Sequence, residues 1–235
     1  MTRFTAPNCQ SCPSQHLSLL HCCGQNEQEE IALHKSAQHY PAGQIIFLEG
    51  SRALGLYCVH SGMIKISKTG GDGKEQIVRL ATGGDMLGYR GLVTGTLHSA
   101  SAVALNDCTV CLVRKEDFFQ QMRENHAFST GLIQLLSRTL GETEERMLHL
   151  AYKPVRERLA EALLLLLRMF RNEDRPDPLS FSITRDDLGA LMGTTKETST
   201  RMLSEFKAEG MLRTHGSAIT ILDSVRLVGI ATRYD

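Results

Sequence analysis

A chain of 235 residues with 42% hydrophobic side chains has room for one large or two ordinary domains with real cores. Its 26 basic and 26 acidic residues cancel, which excludes a generic nucleic-acid coat protein, so any DNA binding must rest on local geometry. The longest purely apolar run, Ala162 to Leu167, falls far short of the roughly 18 residues of a membrane span, and the N-terminus lacks a basic-then-apolar export pattern; no membrane partner is expected, and the expected compartment is cytoplasmic.

Seven cysteines in a reducing compartment argue against a disulfide framework. Four of them, Cys9, Cys12, Cys22 and Cys23, lie in residues 1–26, a cysteine-rich segment. A Cys-x-x-Cys loop lets two thiolates converge on one soft metal, and two more ligands close a zinc site or hold an iron–sulfur cluster. A tail with incidental cysteines fits the spacing equally well.

Gln25 to Gln38 reads as a polar helix, and at Pro41-Ala42-Gly43 the pattern changes. Between Gly43 and Gly95 lie 12 of the 20 glycines, separating the apolar runs 44–48, 55–60, 63–68 and 76–81. Short strands punctuated by glycine predict an all-β sandwich or barrel, continued by 99–105 and 108–113, within a domain spanning 27–126. Cys58 sits mid-strand among apolar neighbours and reads as a buried structural thiol. Cys108 and Cys111 are three apart on one strand and point to opposite faces, one into the core and one toward whatever packs outside, such as the N-terminal segment.

From 127 to 152 the period is helical. Ile133, Leu136, Leu140, Thr143, Met147 and Leu150 recur at spacings of 3, 4, 3, 4, 3, a heptad seam for a second copy of the chain. Leu132 and Leu135 are left to contact the chain's own β domain. Glu142, Glu144 and Glu145 crowd acid charge beside the polar break at Thr143, so the pairing is expected to be marginal.

Pro154 suits the first turn of a new helix from Val155 to Phe170, opening a C-terminal domain over 153–235. After a polar loop, Asn172 to Pro178, Thr184 can cap a short helix with Leu188, Leu191 and Met192 on one side. Gly193 ends that helix and Thr194-Thr195 offers a new N-cap, so two helices meet across a turn of about three residues. On the second helix Met202, Leu203 and Phe206 face one way, while Lys196, Glu197, Thr200 and Arg201 are the candidate DNA-reading residues on the polar side. Arginine can bond a guanine edge bidentately, a carboxylate accepts from cytosine, and threonine offers a hydroxyl or touches a thymine methyl. Met211 to His215, a His-Gly-Ser turn and Ala218 to Leu222 form a wing, and Ser224 to Ala231 closes the chain as a helix expected against that wing.

An α+β chain with a β-roll, a long dimerisation helix and a winged helix-turn-helix, in that order, resembles the Crp/Fnr superfamily of bacterial transcription regulators along nearly its whole length. The runs PAGQIIF from Pro41, LYCVHSGMIK from Leu56, GDMLG from Gly84 and ITRDDLG from Ile183 look like that family's landmarks. The resemblance implies a cyclic-nucleotide-binding-like jelly roll, a homodimer on palindromic double-stranded DNA, RNA polymerase as a partner, and no enzyme activity. Members that bind cyclic nucleotides carry a Gly-Glu pair and a later Arg-Ser/Thr-Ala. Here Gly88 is followed by Tyr89, and His98-Ser99-Ala100 stands where the arginine belongs, so no cyclic AMP is expected. The oxygen-sensing branch, named for fumarate and nitrate reduction, holds a [4Fe-4S] cluster on three N-terminal cysteines and one in the β-roll. Cys9, Cys12 and Cys111 match that pattern; the remaining ligand falls to Cys22 or Cys23, farther along than common members place it. The alternative is a regulator without metal, sensing redox through thiols or taking another small molecule, with Cys108 and the Cys22–Cys23 pair as its features. In the resemblance, Glu197 and Arg201 imply a TGA-type core in each half-site of an inverted repeat, half-site centres about 10 bp apart. Ser199 stands where the family packs a branched apolar residue, which predicts a slightly loosened helix.

Overall fold

Alternation along the strands buries one sheet on both of its faces, and this decides where the cysteines go. The computed structural model describes residues 6–170 and 180–233 and divides into two compact units, residues 1–68 with 78–141 and residues 69–77 with 142–235.

In the first unit, the segment before Gly24 coils through two short 3₁₀ turns into helix α1 (Gln25–His34), whose Glu27 carboxylate accepts from Gly24 N at 2.7 Å. The helix stops at His34, earlier than the sequence pattern suggested, because strand β1 (Ser36–Tyr40) pairs with a distant partner from Ser36 onward. Then follow β2 (Ile45–Phe47), β3 (Gly55–Ser61), β4 (Ile64–Thr69), β5 (Glu75–Ala81), β6 (Met86–Leu87), the short helix α2 (Tyr89–Thr94), β7 (Ser101–Ala104) and β8 (Cys108–Arg114). They form two four-stranded sheets, ordered β1-β8-β3-β6 and β2-β7-β4-β5. Helix α3 (Lys115–Glu124) and the first part of α4 (His126–Tyr152) complete the unit.

With side chains alternating across a strand, Tyr57, Val59, Cys108 and Val110 join Ile64, Ala102 and Ala104 in the core between the sheets. Leu56, Cys58, Cys111 and Val113 point the other way, into a second core with Leu19, Leu20, Ile31, Phe118, Phe128 and Leu132. The expected split of Cys108 and Cys111 between faces is therefore present, and the outward one meets the cysteine-rich segment.

The second unit holds the rest of α4, α5 (Val155–Phe170), β9 (Ser180–Ser182), α6 (Arg185–Met192), α7 (Lys196–Ala208), β10 (Leu212–His215), β11 (Ala218–Ile221) and α8 (Ser224–Ala231). Arg146 donates to Ile77 O at 2.8 Å and Leu191 O at 2.6 Å, and Gln76 to Ala190 O at 2.7 Å, which ties residues 69–77 into this unit. The wing is a three-stranded sheet, β10-β11-β9, with Gly216 at φ 57° in its two-residue turn. Strand β9 joins it through Phe181↔Ile219, a pairing hidden in the sequence because only three residues take part. Helix α8 packs chiefly on α5, not on the wing, since Leu227 and Ala231 carry its buried face there. The expected loop over Asn172 to Pro178 lies outside the described residues.

Candidate nucleic-acid interface and cysteine-lined cavity

The helix pair is built from local signals. Thr184 accepts from Asp187 N at 2.9 Å, Gly193 closes α6 at φ 65°, and Thr195 accepts from Thr198 N at 3.3 Å to start α7. Both caps satisfy amides that a helix start leaves open. Met202, Leu203 and Phe206 are buried, and the Arg156 guanidinium sits 4.7 Å above the Phe206 ring. The opposite face is exposed and carries Lys196, Glu197, Thr200, Arg201 and Ser204.

Exposure leaves these groups free to change partners. Lys196 pairs with Asp186 at 2.8 Å and Arg201 with Glu205 at 3.8 Å, both in solvent, where such pairs contribute little. Glu197 is held below the usual carboxylate range by hydrogen bonds from its own backbone amide and from the Thr195 side chain, so it is an acceptor at neutral pH. Thr200 donates to Lys196 O at 2.8 Å and is exposed.

Ser199 stands where a slightly loosened helix is expected. It is fully buried, and its hydroxyl lies 3.1 Å from Arg185 O on α6 and 2.9 Å from Lys196 O. The serine thus stitches the two helices together where an apolar residue would only pack.

In the first unit, Cys9, Cys12, Cys58 and Cys111 line one cavity, with Lys35 and His60 beside them. Cys58 and Cys111 are direct register partners on β3 and β8. The N-terminal segment is seated over them: Ser14 Oγ donates to His60 O at 3.0 Å, and Cys12 Sγ lies 3.2 Å from His60 Nδ1. Only glycine permits that seat, since a Cβ on Gly84 (φ +95°) would stand 2.5 Å from Leu17 Cβ. Lys35 Nζ donates to Pro7 O and reaches Cys111 Sγ at 3.9 Å.

Burial pushes the Cys58 and Cys111 thiols up, Cys58 furthest; Lys35 acts against the rise at both. His60 is lowered by burial and by Lys35, which keeps its imidazole neutral. Among the described residues, no three His, Cys, Asp or Glu side chains already meet as ligands of a single ion.

Cys22 and Cys23 stand apart from the cavity lining. Cys23 is buried, 3.7 Å from Gln121 Oε1, with its thiol pushed up to about 12 by burial and by Glu27. Cys22 lies against α4, where a Cβ on Gly131 would come 3.1 Å from its sulfur and 2.8 Å from Leu19 Cδ1. Three of the four expected ligands are thus gathered, together with Cys58, which sequence reasoning took as structural; a shared strand parity was the available signal, but pairing register is not written in spacing. Cys108 is buried in the inter-sheet core, its thiol within 3.2 Å of Met63 O and 3.1 Å of Asn106 O and its pKa raised to about 11 by burial.

Tyr89 and His98 are both packed into the first unit. His98 is buried and stacks on Phe47 at 4.0 Å, and Tyr89 is buried with its hydroxyl 3.4 Å from Thr139 Oγ1. On α4, Ile133, Leu140 and Met147 are 62%, 60% and 63% exposed. Leu136 is instead half-buried against the core that holds Leu132, and Leu150 is half-buried with its Cδ2 near Gly193.

A β-roll followed by a capped helix-turn-helix with an exposed polar reader defines a class of DNA-binding regulators. Residues 37–125 match the cyclic nucleotide-binding domain family and residues 157–230 the Crp-like helix-turn-helix domain. A cyclic AMP receptor protein from Thermus thermophilus is 32% identical over 206 residues, covering 87% of this chain and 93% of its own. The fumarate and nitrate reduction regulatory protein of Escherichia coli is 28% identical over 228 residues, covering 96% and 91%. Among solved structures, FixK2 from Bradyrhizobium japonicum superposes with a TM-score of 0.72 at 27% identity, covering 83% of this chain and 96% of its own. A regulator from Eubacterium rectale gives 0.76 at 22% identity, covering 91% and 97%, a likeness of fold. The chain belongs to the Crp/Fnr family of transcription regulators, which bind DNA as dimers and are not enzymes. Among the described residues no helix is long and apolar enough to cross a membrane.

Proposed function

We propose that two copies of this chain join along α4 and read an inverted-repeat DNA site, and that oxygen, nitric oxide or redox state switches them through a [4Fe-4S] cluster held by the N-terminal segment. In this reading residues 1–26 are the sensor, 27–126 the effector roll, 127–152 the dimer helix and 153–235 the reader, acting on RNA polymerase in the cytoplasm. One observation carries it: Cys9, Cys12 and Cys111 line a single cavity under a segment that also rests on α4 at Gly131.

The donor set suits the group. Thiolates are the ordinary ligands of such clusters, and the Lys35 ammonium offsets part of the negative charge they bring. Bound there, the cluster would supply an oxygen-labile set of iron–sulfur bonds. Cys9 and Cys12 anchor the segment, Leu19 presses on Gly131, and Asn125 Nδ2 donates to Cys22 O at 3.0 Å, so freeing the anchors loosens what packs on the dimer helix. A metal-free thiol sensor is less well supported, because Cys108 and Cys23 are both buried with raised pKa values, and the thiolate is the reactive form.

Protein purified under nitrogen should contain iron and sulfide in equal amounts, sediment as a dimer, and lose affinity for a palindromic duplex on exposure to air. A colourless anaerobic preparation that binds DNA equally well in air would overturn the sensing reading while leaving the DNA-binding one. The packing around Tyr89 and His98 supports a roll that does not take cyclic AMP, and calorimetry should show no saturable heat with it.

A further inference from the structure

We propose that Cys58 is the fourth thiolate of the sensory site, completing the set Cys9, Cys12 and Cys111, and that Cys22 and Cys23 are packing residues. This inference rests on the cluster reading above and names its ligands.

The argument begins with strand register. Cys58 on β3 and Cys111 on β8 are paired residues of adjacent antiparallel strands, which places their Cβ atoms roughly 4.5–5.5 Å apart on one face. That face is turned away from the inter-sheet core and toward the N-terminal segment. The Cys9-x-x-Cys12 turn, closed by Cys12 N donating to Cys9 O at 3.3 Å, lies over the pair, and all four cysteines line the same cavity. A four-iron cluster gives each thiolate its own iron, so its ligands surround a space and need not meet at a point. The Cys58 thiol donates to Met86 Sδ at 3.1 Å, a weak partner that a metal bond readily replaces.

Cys22 and Cys23 are held where they are. Gln28 Nε2 donates to Leu20 O at 3.2 Å and Cys23 O at 2.7 Å, fixing the turn that buries Leu19 and Leu20. Neither residue lines the cavity, and Cys22 faces Gly131 on α4 instead. His60, also on the wall, uses its Nδ1 on Cys12, which suits a residue that positions a ligand.

Loading with a preformed synthetic cubane cluster carrying four small thiolates is a ligand exchange. Four iron–thiolate bonds to the small ligands break, four to the protein form, each protein thiol's proton leaves on a displaced thiolate, and no electron changes hands.

The test loads full-length protein with that cluster under nitrogen and measures iron, sulfide and the visible charge-transfer band. Wild type and Cys22→Ser/Cys23→Ser should each take about four irons and four sulfides per chain. Cys58→Ala, with an unchanged far-ultraviolet circular dichroism spectrum, should retain less than half. Retention of a full complement by folded Cys58→Ala, or its loss from the Cys22/Cys23 double variant, overturns the assignment, and the double variant decides the matter even if Cys58→Ala fails to fold. Loss from His60→Ala with retention by Cys58→Ala would make the imidazole the fourth ligand and also overturns it. Failure of wild type to take any cluster removes the sensing reading itself.

Discussion

Helix α7 takes its start, its stop and its two faces from residues within about one helix length of one another, whereas the cysteine cavity gathers side chains from positions as far apart as 9 and 111. The reader is a local object: Thr195 caps it, Met202, Leu203 and Phe206 turn it inward, and the polar face follows from the helical period. The cavity exists only after β3 and β8 pair and a segment more than forty residues upstream of β3 folds back over them. Local objects fail one contact at a time. Assembled ones fail as a set.

The largest effect is expected where the comparison reaches a second copy of the chain. Ile133, Leu140 and Met147 recur at every seventh residue and are exposed, so in a twofold pair Leu140→Arg sets like charges against each other in an apolar seam. A cost of about 2–5 kcal/mol is expected, read as a shift from dimer to monomer in sedimentation with secondary structure unchanged. A dimer that persists at the same concentration would mean the copies meet elsewhere.

Next comes the reader. Arg201→Ala removes an exposed guanidinium paired with Glu205 at 3.8 Å in solvent, so DNA affinity should fall by about 1–3 kcal/mol, with discrimination relaxed at one base pair per half-site. Uniform weakening across all sequences would move Arg201 from a base edge to a phosphate. Binding measured over a salt series separates the two, because only a phosphate contact lowers the salt slope.

The smallest effect sharpens the claim that the reader is locally built. Ser199→Ala deletes the hydroxyl between α7 and Arg185 O, leaving a buried carbonyl poorer by one donor at a cost of about 0.5–1.5 kcal/mol in urea unfolding. Cluster content should not change. An unchanged or raised stability would mean that apolar packing is preferred at this position, as the family pattern suggests.

The same contrast explains what could be read in advance. Apart from the two-residue β6, the strands from Ile45 to Arg114 were legible because glycine and alternation mark them. Strand β1, Ser36–Tyr40, has one buried residue and no apolar alternation, so it was absorbed into the preceding helix. Helices α2 and α3 were missed too, the first for its six-residue length and the second because its charged first turn resembles a loop. At the site, the exposed reading face followed from a helical wheel. The separation of Cys108 from Cys111 followed from a period of two. The gathering of Cys58 with Cys9, Cys12 and Cys111, and the seating of Leu136 and Leu150 against their own chain, did not.

From residue order alone came the kind of regulator, the order of roll, long helix and winged reader, the capped reader itself and the parity of each strand cysteine, because caps, turns and periodicity act over a few residues. Tertiary structure alone decided which thiols share a cavity, which seam residues remain exposed, and that Ser199 binds two helices together. Those outcomes depend on register and packing between distant segments, and no local spacing carries that information.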